Sequence, residues 1–343
     1  MKTAVILGIT GQDGAYLSQL LLSKNYKVIG IYRHNTSGFS RLKQLCVLEH
    51  EFLELKPVDL SNETACTDLI IKTKPNEMYN LASHSFVGDS VHTPIQTIIS
   101  SGISIVCLLE AIRQYSKHTR FFQASSSEIF GDVASDLQDE NTAFNPRNPY
   151  STAKILAHNA VSNYRGIYGV FACSGILYNH ESPLRSVEFL TAKVASSVAS
   201  IKLGLQECFD IGNMDTYRDW GYAKEYVECM YLMMQHETPN DYVVSTGIAT
   251  SVRQFIIMAF DTVGINIKFS GEGIHEYAVN VVTNTTVIKV NPEFYRPIEK
   301  NILLGDPTKA DKILGWKAET DVKELCGMMV KNFLNEYKIE NAK

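Results

Sequence analysis

Two short segments in the first half of the chain carry residue types suited to proton transfer: Ser125-Ser126-Ser127-Glu128 and Tyr150-Ser151-Thr152-Ala153-Lys154. A tyrosine and a lysine at i, i+4 lie on one face of a helix, one turn apart. An ammonium beside a phenol favours the phenolate, so the tyrosine accepts a proton nearer neutral pH. A hydroxyl from Ser126 completes a proton relay at an alcohol. Glu128 adds a carboxylate of a kind that suits a second job. The set points to chemistry on an alcohol carbon and on its neighbour. Asn148-Pro149 precede Tyr150, and proline sits well at the start of a helix, so Tyr150 is expected in a first helical turn.

Positioning these groups requires a scaffold, and the hydropathy pattern describes one. Thr3–Gly8 reads as a buried strand, and a helical pattern follows from Asp13 to Ser23. Lys27–Tyr32, Glu77–Leu81, Thr119–Ala124 and Val170–Leu177 read as further strands, separated by helical stretches near 61–73, 90–115 and 150–168. Short apolar strands alternating with amphipathic helices predict an α/β fold, a Rossmann-type doubly wound parallel sheet covered on both faces. After Asn179 the pattern turns mixed, with longer loops around 179–186 and 271–303. We therefore expect a nucleotide-binding domain over 1–178, rejoined by segments near 213–245 and 300–310, and a smaller α/β substrate lobe over most of 179–343. The polar tail Asn335–Lys343 is expected to fray.

Composition narrows the class. The 343 residues are 45% hydrophobic and 20% charged with a net charge of −5, which fits a globular protein and offers no basic face for nucleic acid. Seven scattered cysteines without a CxxC pair argue for free thiols in a reducing compartment, the cytoplasm. Nine histidines show no paired metal-binding spacing, so no metal site is expected. The first twenty residues do not read as a signal peptide. No apolar run is expected to reach membrane-spanning length, and no membrane partner is expected.

Gly8-Ile9-Thr10-Gly11-Gln12-Asp13-Gly14 follows the first strand and opens the first helix. Its three glycines allow a tight turn and close approach of backbone to a pyrophosphate, whose charge is favoured at a helix N-terminus. The second strand ends in Tyr32-Arg33-His34, where an NAD site usually offers an acidic residue. Arg33 instead suits a 2′-phosphate, helped by Arg41, which favours NADP. Asp59-Leu60 stand where such folds hold the adenine, although Asp59 also reads as the cap of a helix beginning near Ser61. Farther on, Arg185, Arg218 (beside Asp219) and Arg296 have two readings: convergence on a diphosphate, with Glu299 accepting from a ribose hydroxyl, or surface salt bridges.

Gly-Ile-Thr-Gly-Gln-Asp-Gly at 8–14, Gln-Ala-Ser-Ser-Ser-Glu at 123–128, Asn-His-Glu-Ser-Pro at 179–183, Arg-Asp-Trp-Gly at 218–221 and Tyr-Arg-Pro at 295–297 together resemble the GDP-mannose 4,6-dehydratase family. This is a branch of the extended short-chain dehydrogenases, and the likeness runs from residue 3 to about 330. It implies a lyase with bound NADP and a GDP-sugar substrate. Its catalytic set is Ser126, Glu128, Tyr150 and Lys154, with Ser126 standing where the family usually has threonine. It implies cofactor contacts from Gly8, Thr10, Gly11, Gln12, Asp13, Gly14, Arg33, Asp59, Leu60, Leu81, Ser83, Tyr150, Lys154 and Arg185. Substrate contacts would come from Ser85, Val87, Ser126, Glu128, Asn179, Lys193, Arg218, Arg296 and Glu299. A homotetramer or dimer is implied, with the loop near 34–41 reaching a neighbour's cofactor site.

The chain departs from the family at His84, Phe86, Tyr178, Leu184 and Ser151-Thr152. These departures are expected to re-line the sugar pocket. The substrate is then a manno-configured GDP-sugar, either GDP-mannose or GDP-D-glycero-manno-heptose. Two other readings differ in class. A 4-epimerase or 4-ketoreductase on the same scaffold leaves Glu128 idle, and a silent NADP-binding regulator leaves the whole relay without purpose.

Overall fold

A computed structural model describes residues 1–34, 36, 38–83, 87–133, 137–295 and 302–341, without the side chains of Val87, Asp89 and Glu340. Their elements run β1 (Thr3–Leu7), α1 (Gln12–Ser23), β2 (Lys27–Tyr32), α2 (Ser40–Gln44), β3 (Leu53–Pro57), α3 (Glu63–Thr73), β4 (Glu77–Asn80), α4 (Val87–His92), α5 (Pro94–Ile98), a π-turn (Ile99–Ile103), α6 (Ser104–Tyr115), β5 (Arg120–Ser126), a 3₁₀ turn (Ser127–Ile129), α7 (Pro149–Tyr168) and β6 (Ala172–Leu177). Then follow β7 (Asn179–Glu181), α8 (Leu190–Lys202), β8 (Phe209–Ile211), β9 (Tyr217–Tyr222), α9 (Ala223–Gln235), β10 (Tyr242–Val244), β11 (Ala249–Ser251), α10 (Val252–Thr262), β12 (Ile267–Ser270), β13 (Tyr277–Asn280), β14 (Thr286–Val290), α11 (Thr308–Leu314) and α12 (Val322–Asn341).

The described chain divides into two compact units: residues 1–178, 223–245 and 305–317, and residues 179–222, 246–304 and 318–343. The first holds a seven-stranded sheet in the order β10-β6-β5-β4-β1-β2-β3, parallel throughout. β1 lies between β2 and β4, so the chain reverses its winding beside β1, the place where such sheets bind ligands at their carboxyl ends. β4, β6 and β10 are buried along their whole length, as strands of a parallel sheet covered on both faces are. One face carries a core built from Val5, Leu7, Ile29, Leu69, Ile70, Leu108, Leu109, Ile112, Phe121 and Val161. At the other end of the strands the buried Glu77 carboxylate accepts from the hydroxyls of Tyr26 and Tyr79, each at 2.8 Å, and pairs with Lys2 at 3.3 Å. That satisfies a charge which alone would be costly to bury.

Two expectations need correction. Pro94–Tyr115 is one continuous helical stretch, long and apolar enough to cross a membrane by length and composition alone. Ser100, Ser101, Gly102 and Ser104 make it look interrupted in sequence, yet the π-turn carries the helix through them. It packs against α3 and α7 and supplies core residues, as a helix of a folded domain does. The C-terminal tail does not fray at Asn335 either. α12 continues to Asn341, and Tyr337 shares a 2.6 Å hydrogen bond with Ser196 and packs on the second unit's core.

The second unit contains a three-stranded sheet, β11-β9-β7, and a four-stranded sheet, β12-β13-β14-β8. Its core joins Val198, Phe209, Trp220, Phe255, Phe260, Ile288 and Met329. All seven cysteines are free, and burial pushes the Cys66 thiol up to about 12.

Candidate active site

The glycine-rich segment forms the turn from β1 into α1. Gly8 has φ +84°, a left-handed conformation that side chains resist, and its amide bonds the Ile31 carbonyl at 3.0 Å. A Cβ on Gly14 would fall 2.4 Å from the Gly8 carbonyl oxygen and 2.7 Å from the Ile9 Cα. Gly11 caps α1 without a side-chain hydrogen bond. With glycine at the cap, no capping side chain stands over the start of this twelve-residue helix, which fits the approach of a pyrophosphate. Gly14→Ala must push backbone against backbone. We expect it to cost about 1–3 kcal/mol and to weaken dinucleotide binding at least tenfold. Gly166→Ala in α7, where an added Cβ meets open space, is expected to be neutral or slightly stabilising. Thermal melts and a fluorescence titration of the two variants check the contrast.

Arg33 is exposed just past the end of β2. Arg41 turns back on its own chain and donates to the Thr10 carbonyl at 3.1 Å, bracing the glycine turn. Asp59 does not cap α3: it accepts from the Ser61 amide and hydroxyl at 2.9 and 2.7 Å, while Asn62 caps the helix. The Ser61 bonds hold the Asp59 carboxyl below its ordinary value. Leu60 packs against the core, the Leu81 amide bonds the Leu7 carbonyl, and Ser83 shares a 3.2 Å bond with Ser101. Gln12 is buried in α1, and Asp13 lies in its first turn. Ser85, Arg296 and Glu299, like His84 and Phe86, lie outside the described residues, as does the side chain of Val87.

The acid–base residues come from two adjoining elements. β5 ends at Ser126, whose hydroxyl caps the 3₁₀ turn by accepting the Glu128 amide at 3.2 Å. A hydroxyl oxygen that accepts a bond still carries a hydrogen it can donate, so Ser126 can serve as a donor to a ligand. Glu128 is half-buried in the same turn, which packs on α7. α7 starts at Pro149 behind a capping box between Asn148 and Ser151, so Tyr150 falls in its first turn. Lys154 follows one turn later with Nζ 5.5 Å from the Tyr150 ring centroid. Nζ donates to the Ala124 carbonyl at 2.7 Å. Burial pushes the Lys154 ammonium down to about 8, against a weaker opposing pull from Asp13. At neutral pH the group stays charged beside the phenol, which is what a phenolate-forming pair requires.

In the second unit, β7 and β9 place Asn179 opposite Trp220, two residues beyond Arg218. Arg218 donates to the Tyr217 carbonyl at 2.7 Å. Asp219 is structural: its buried carboxylate accepts from the Thr246 amide and hydroxyl and the Gly247 amide at 2.6–2.9 Å. Arg185 lies 3.0 Å from Glu181 and over the Phe189 ring. Lys193 sits with Nζ 4.5 Å from the Phe294 ring centroid, and its pKa is lowered, chiefly by burial. Several departures expected to re-line the pocket have other duties. Tyr178 is buried and its hydroxyl donates to Gln138 at 3.0 Å. Ser151 is part of the α7 cap, and Thr152 donates to the Asn148 carbonyl. Leu184 is buried, so the position is packed rather than charged.

Sequence reasoning missed the partners that hold the relay: the Ala124 carbonyl, Ser125 and His158. A signal for the last was present, since His158 continues the i, i+4 stripe of Tyr150 and Lys154.

Among known proteins, similarity is extensive. GDP-mannose 4,6-dehydratase of Sinorhizobium fredii is 44% identical over 342 residues, 97% of each chain. Solved structures share the fold at low identity. dTDP-glucose 4,6-dehydratase of Bacillus anthracis gives a TM-score of 0.81 at 16% identity over 98% of each chain. UDP-glucose 4-epimerase of Thermotoga maritima gives 0.80 at 19% over 98% of this chain and 99% of that one. The fold is thus common to dehydratases and epimerases, but the sequence is not neutral between them. With the GDP-mannose 4,6 dehydratase family profile matching residues 5–329, the chain belongs to that family.

Proposed function

We propose that this protein is an NADP-dependent GDP-sugar 4,6-dehydratase acting on a manno-configured sugar, GDP-mannose or its heptose homologue. The observation that carries this reading is the adjoining placement of Ser126 and Glu128 at the end of β5 with Tyr150 and Lys154 on α7, in a chain of this family. Tyr150 takes the proton of the sugar's C4 hydroxyl, Ser126 donates to the same oxygen, and Lys154 keeps the phenolate favoured. A nicotinamide bound at the glycine turn would supply the hydride acceptor for C4 and the hydride donor for C6. The resulting C4 ketone acidifies C5, Glu128 removes that proton, and the same carboxylic acid protonates the departing C6 hydroxyl. Water leaves across C5–C6, and once C6 has been reduced Tyr150 gives its proton to C5 of the resulting enolate, so the C4 ketone remains in the product. The cofactor ends as it began.

NADP is favoured by Arg33 at the end of β2, where a carboxylate would serve a ribose diol. Asn179, Lys193, Arg218, Arg296 and Glu299 are the proposed GDP contacts. A homo-oligomer, tetramer or dimer, is what the family resemblance implies. Seven free thiols suit the reducing cytoplasm.

Mass spectrometry of the purified protein with NADP+ or NAD+ and each GDP-sugar tests the reading. A product lighter by one water, without net reduced cofactor and faster with NADP+, is expected, and the faster sugar names the substrate. Isomerisation without mass change would make the protein an epimerase. No turnover of either sugar would remove the dehydratase reading.

A further inference from the structure

His158 lies one turn beyond Lys154 on the buried stripe of α7, and it is 7% exposed. Its Nδ1 stands 3.3 Å from the Ser125 hydroxyl and its Nε2 stands 3.7 Å from an Asp241 carboxylate oxygen. Phe144 meets the ring edge-on at 5.1 Å. Serine, histidine and aspartate in this order resemble a hydrolytic triad, but the surroundings exclude that use. Ser125 is 3% exposed, out of reach of a substrate. Asp241 is already committed to Arg165 through two hydrogen bonds of 2.9 and 2.5 Å and to the Ser174 amide at 2.8 Å. A carboxylate so engaged has little basicity to lend an imidazole. Burial keeps the ring neutral by lowering its pKa, against the weaker upward pull of Asp241. A neutral ring bonds the Ser125 hydroxyl through Nδ1 in either tautomer, accepting when the proton is on Nε2 and donating when it is on Nδ1.

What these contacts do is geometric. Ala124, Ser125 and Ser126 are consecutive at the end of β5. The first takes the Lys154 ammonium on its carbonyl, the second takes His158, and the third is a relay residue. α7 is thereby joined to β5 at two successive turns. At the far side Asp241, just ahead of β10, holds α7 through Arg165 and β6 through the Ser174 amide. We propose that His158 is a positioning residue for the dehydratase reaction: through its bond to Ser125 it fixes the register of α7 against the end of β5, and so sets Tyr150 and Lys154 against Ser126 and Glu128. An error of about 1 Å in such a constellation can cost about a hundredfold in rate, because proton transfer requires hydrogen-bond reach. The inference rests on the dehydratase reading for its catalytic consequence and on the fold alone for its structural one.

The test compares the full-length parent with His158→Leu, His158→Asn and Ser125→Ala. Leucine fills the space without polar atoms, whereas asparagine returns an acceptor near the position of Nδ1. With NADP+ and the preferred GDP-sugar, His158→Leu is expected to lower kcat roughly ten- to a hundredfold while KM stays within about twofold of the parent. Ser125→Ala is expected to lower kcat several-fold, and His158→Asn to recover most of the loss. Hydrogen exchange without any ligand is the independent readout. Amides of residues 150–154 are expected to exchange at least tenfold faster in His158→Leu. A folded His158→Leu with parental kcat, a loss confined to KM, or an asparagine variant no better than leucine overturns the proposal. If His158→Leu fails to fold, Ser125→Ala decides, and parental kcat there overturns it. If the parent turns over no GDP-sugar, the dehydratase reading fails, and the exchange rates of Ser125→Ala and His158→Asn judge the positioning role by themselves.

Discussion

Replacing Lys154 by methionine is expected to leave a folded protein at least as stable as the parent at neutral pH and reduced in turnover about 10²–10⁴-fold. The two halves of this result share one cause. The fold holds an ammonium in a buried site, where its pKa falls from 10.5 to about 8. That difference corresponds to roughly 3 kcal/mol by which folding disfavours the charged form. Methionine removes this penalty but leaves the Ala124 carbonyl without its 2.7 Å donor, a loss of about 1–3 kcal/mol. The balance runs from neutral to a modest gain. Its pH dependence has a definite sign. Below pH 8 the parent carries the full penalty. Between pH 8 and 10.5 the unfolded chain still binds a proton that the folded chain has shed, so the parent gains stability with rising pH and the variant's advantage fades. Activity follows the opposite logic, because without the adjacent charge the Tyr150 phenolate loses its stabiliser, and general-base catalysis is worth about 10²–10⁴. Thermal melts from pH 6 to pH 10 beside steady-state rates check both halves. A variant that keeps a tenth of parental turnover, or that melts far below the parent at pH 7, would show that Lys154 is only a structural bond to β5.

A buried charge kept at a cost to stability is the kind of feature that local pattern does not disclose, and the chain as a whole divides along that line. The parallel sheet was legible because burial on both faces leaves a local trace: β1 is an apolar run, and Met78-Tyr79, Phe121-Phe122 and Ile176-Leu177 mark β4, β5 and β6. The first-turn place of Tyr150 was legible because Asn148 and Pro149 act on their immediate neighbours. Contacts across long separations left no such trace. The Arg165–Asp241 pair spans 76 positions, and the Ser125–His158 contact joins a strand to a helix that only the folded sheet brings together. Charged residues misled in the same way. Asp59 could belong to a helix cap, yet it closes a turn on Ser61. Asp219 sits in a motif beside a candidate phosphate ligand, yet its carboxylate is taken by Thr246 and Gly247. Sequence reveals that a group is polar; which partner neutralises it is settled by tertiary structure.

Glu128 carries the largest functional claim, and Glu128→Gln is expected to separate the two halves of the reaction. Glutamine keeps the size of the side chain and leaves the Glu128 amide bond to Ser126 in place, so the 3₁₀ turn and its cap persist. The negative charge is lost, and with it the ability to take and return a proton. Ser126, Tyr150 and Lys154 remain able to oxidise C4, whereas elimination requires a base at C5 and an acid at the leaving hydroxyl. Overall dehydration should fall about 10²–10⁴-fold, with KM for the GDP-sugar nearly unchanged. Under single turnover, reduced-nicotinamide absorbance should accumulate in the variant, because the hydride taken from C4 has no acceptor at C6. Product formed by the parent in deuterated water should carry solvent hydrogen at C5, and the variant should leave C5 unexchanged. An epimerase gives the opposite outcome: Glu128 would be idle, turnover would survive the substitution, and C5 would never exchange in either protein. Parental dehydration by Glu128→Gln would instead require another base, and the assignment of Glu128 would fall while the Tyr150–Lys154 relay stood.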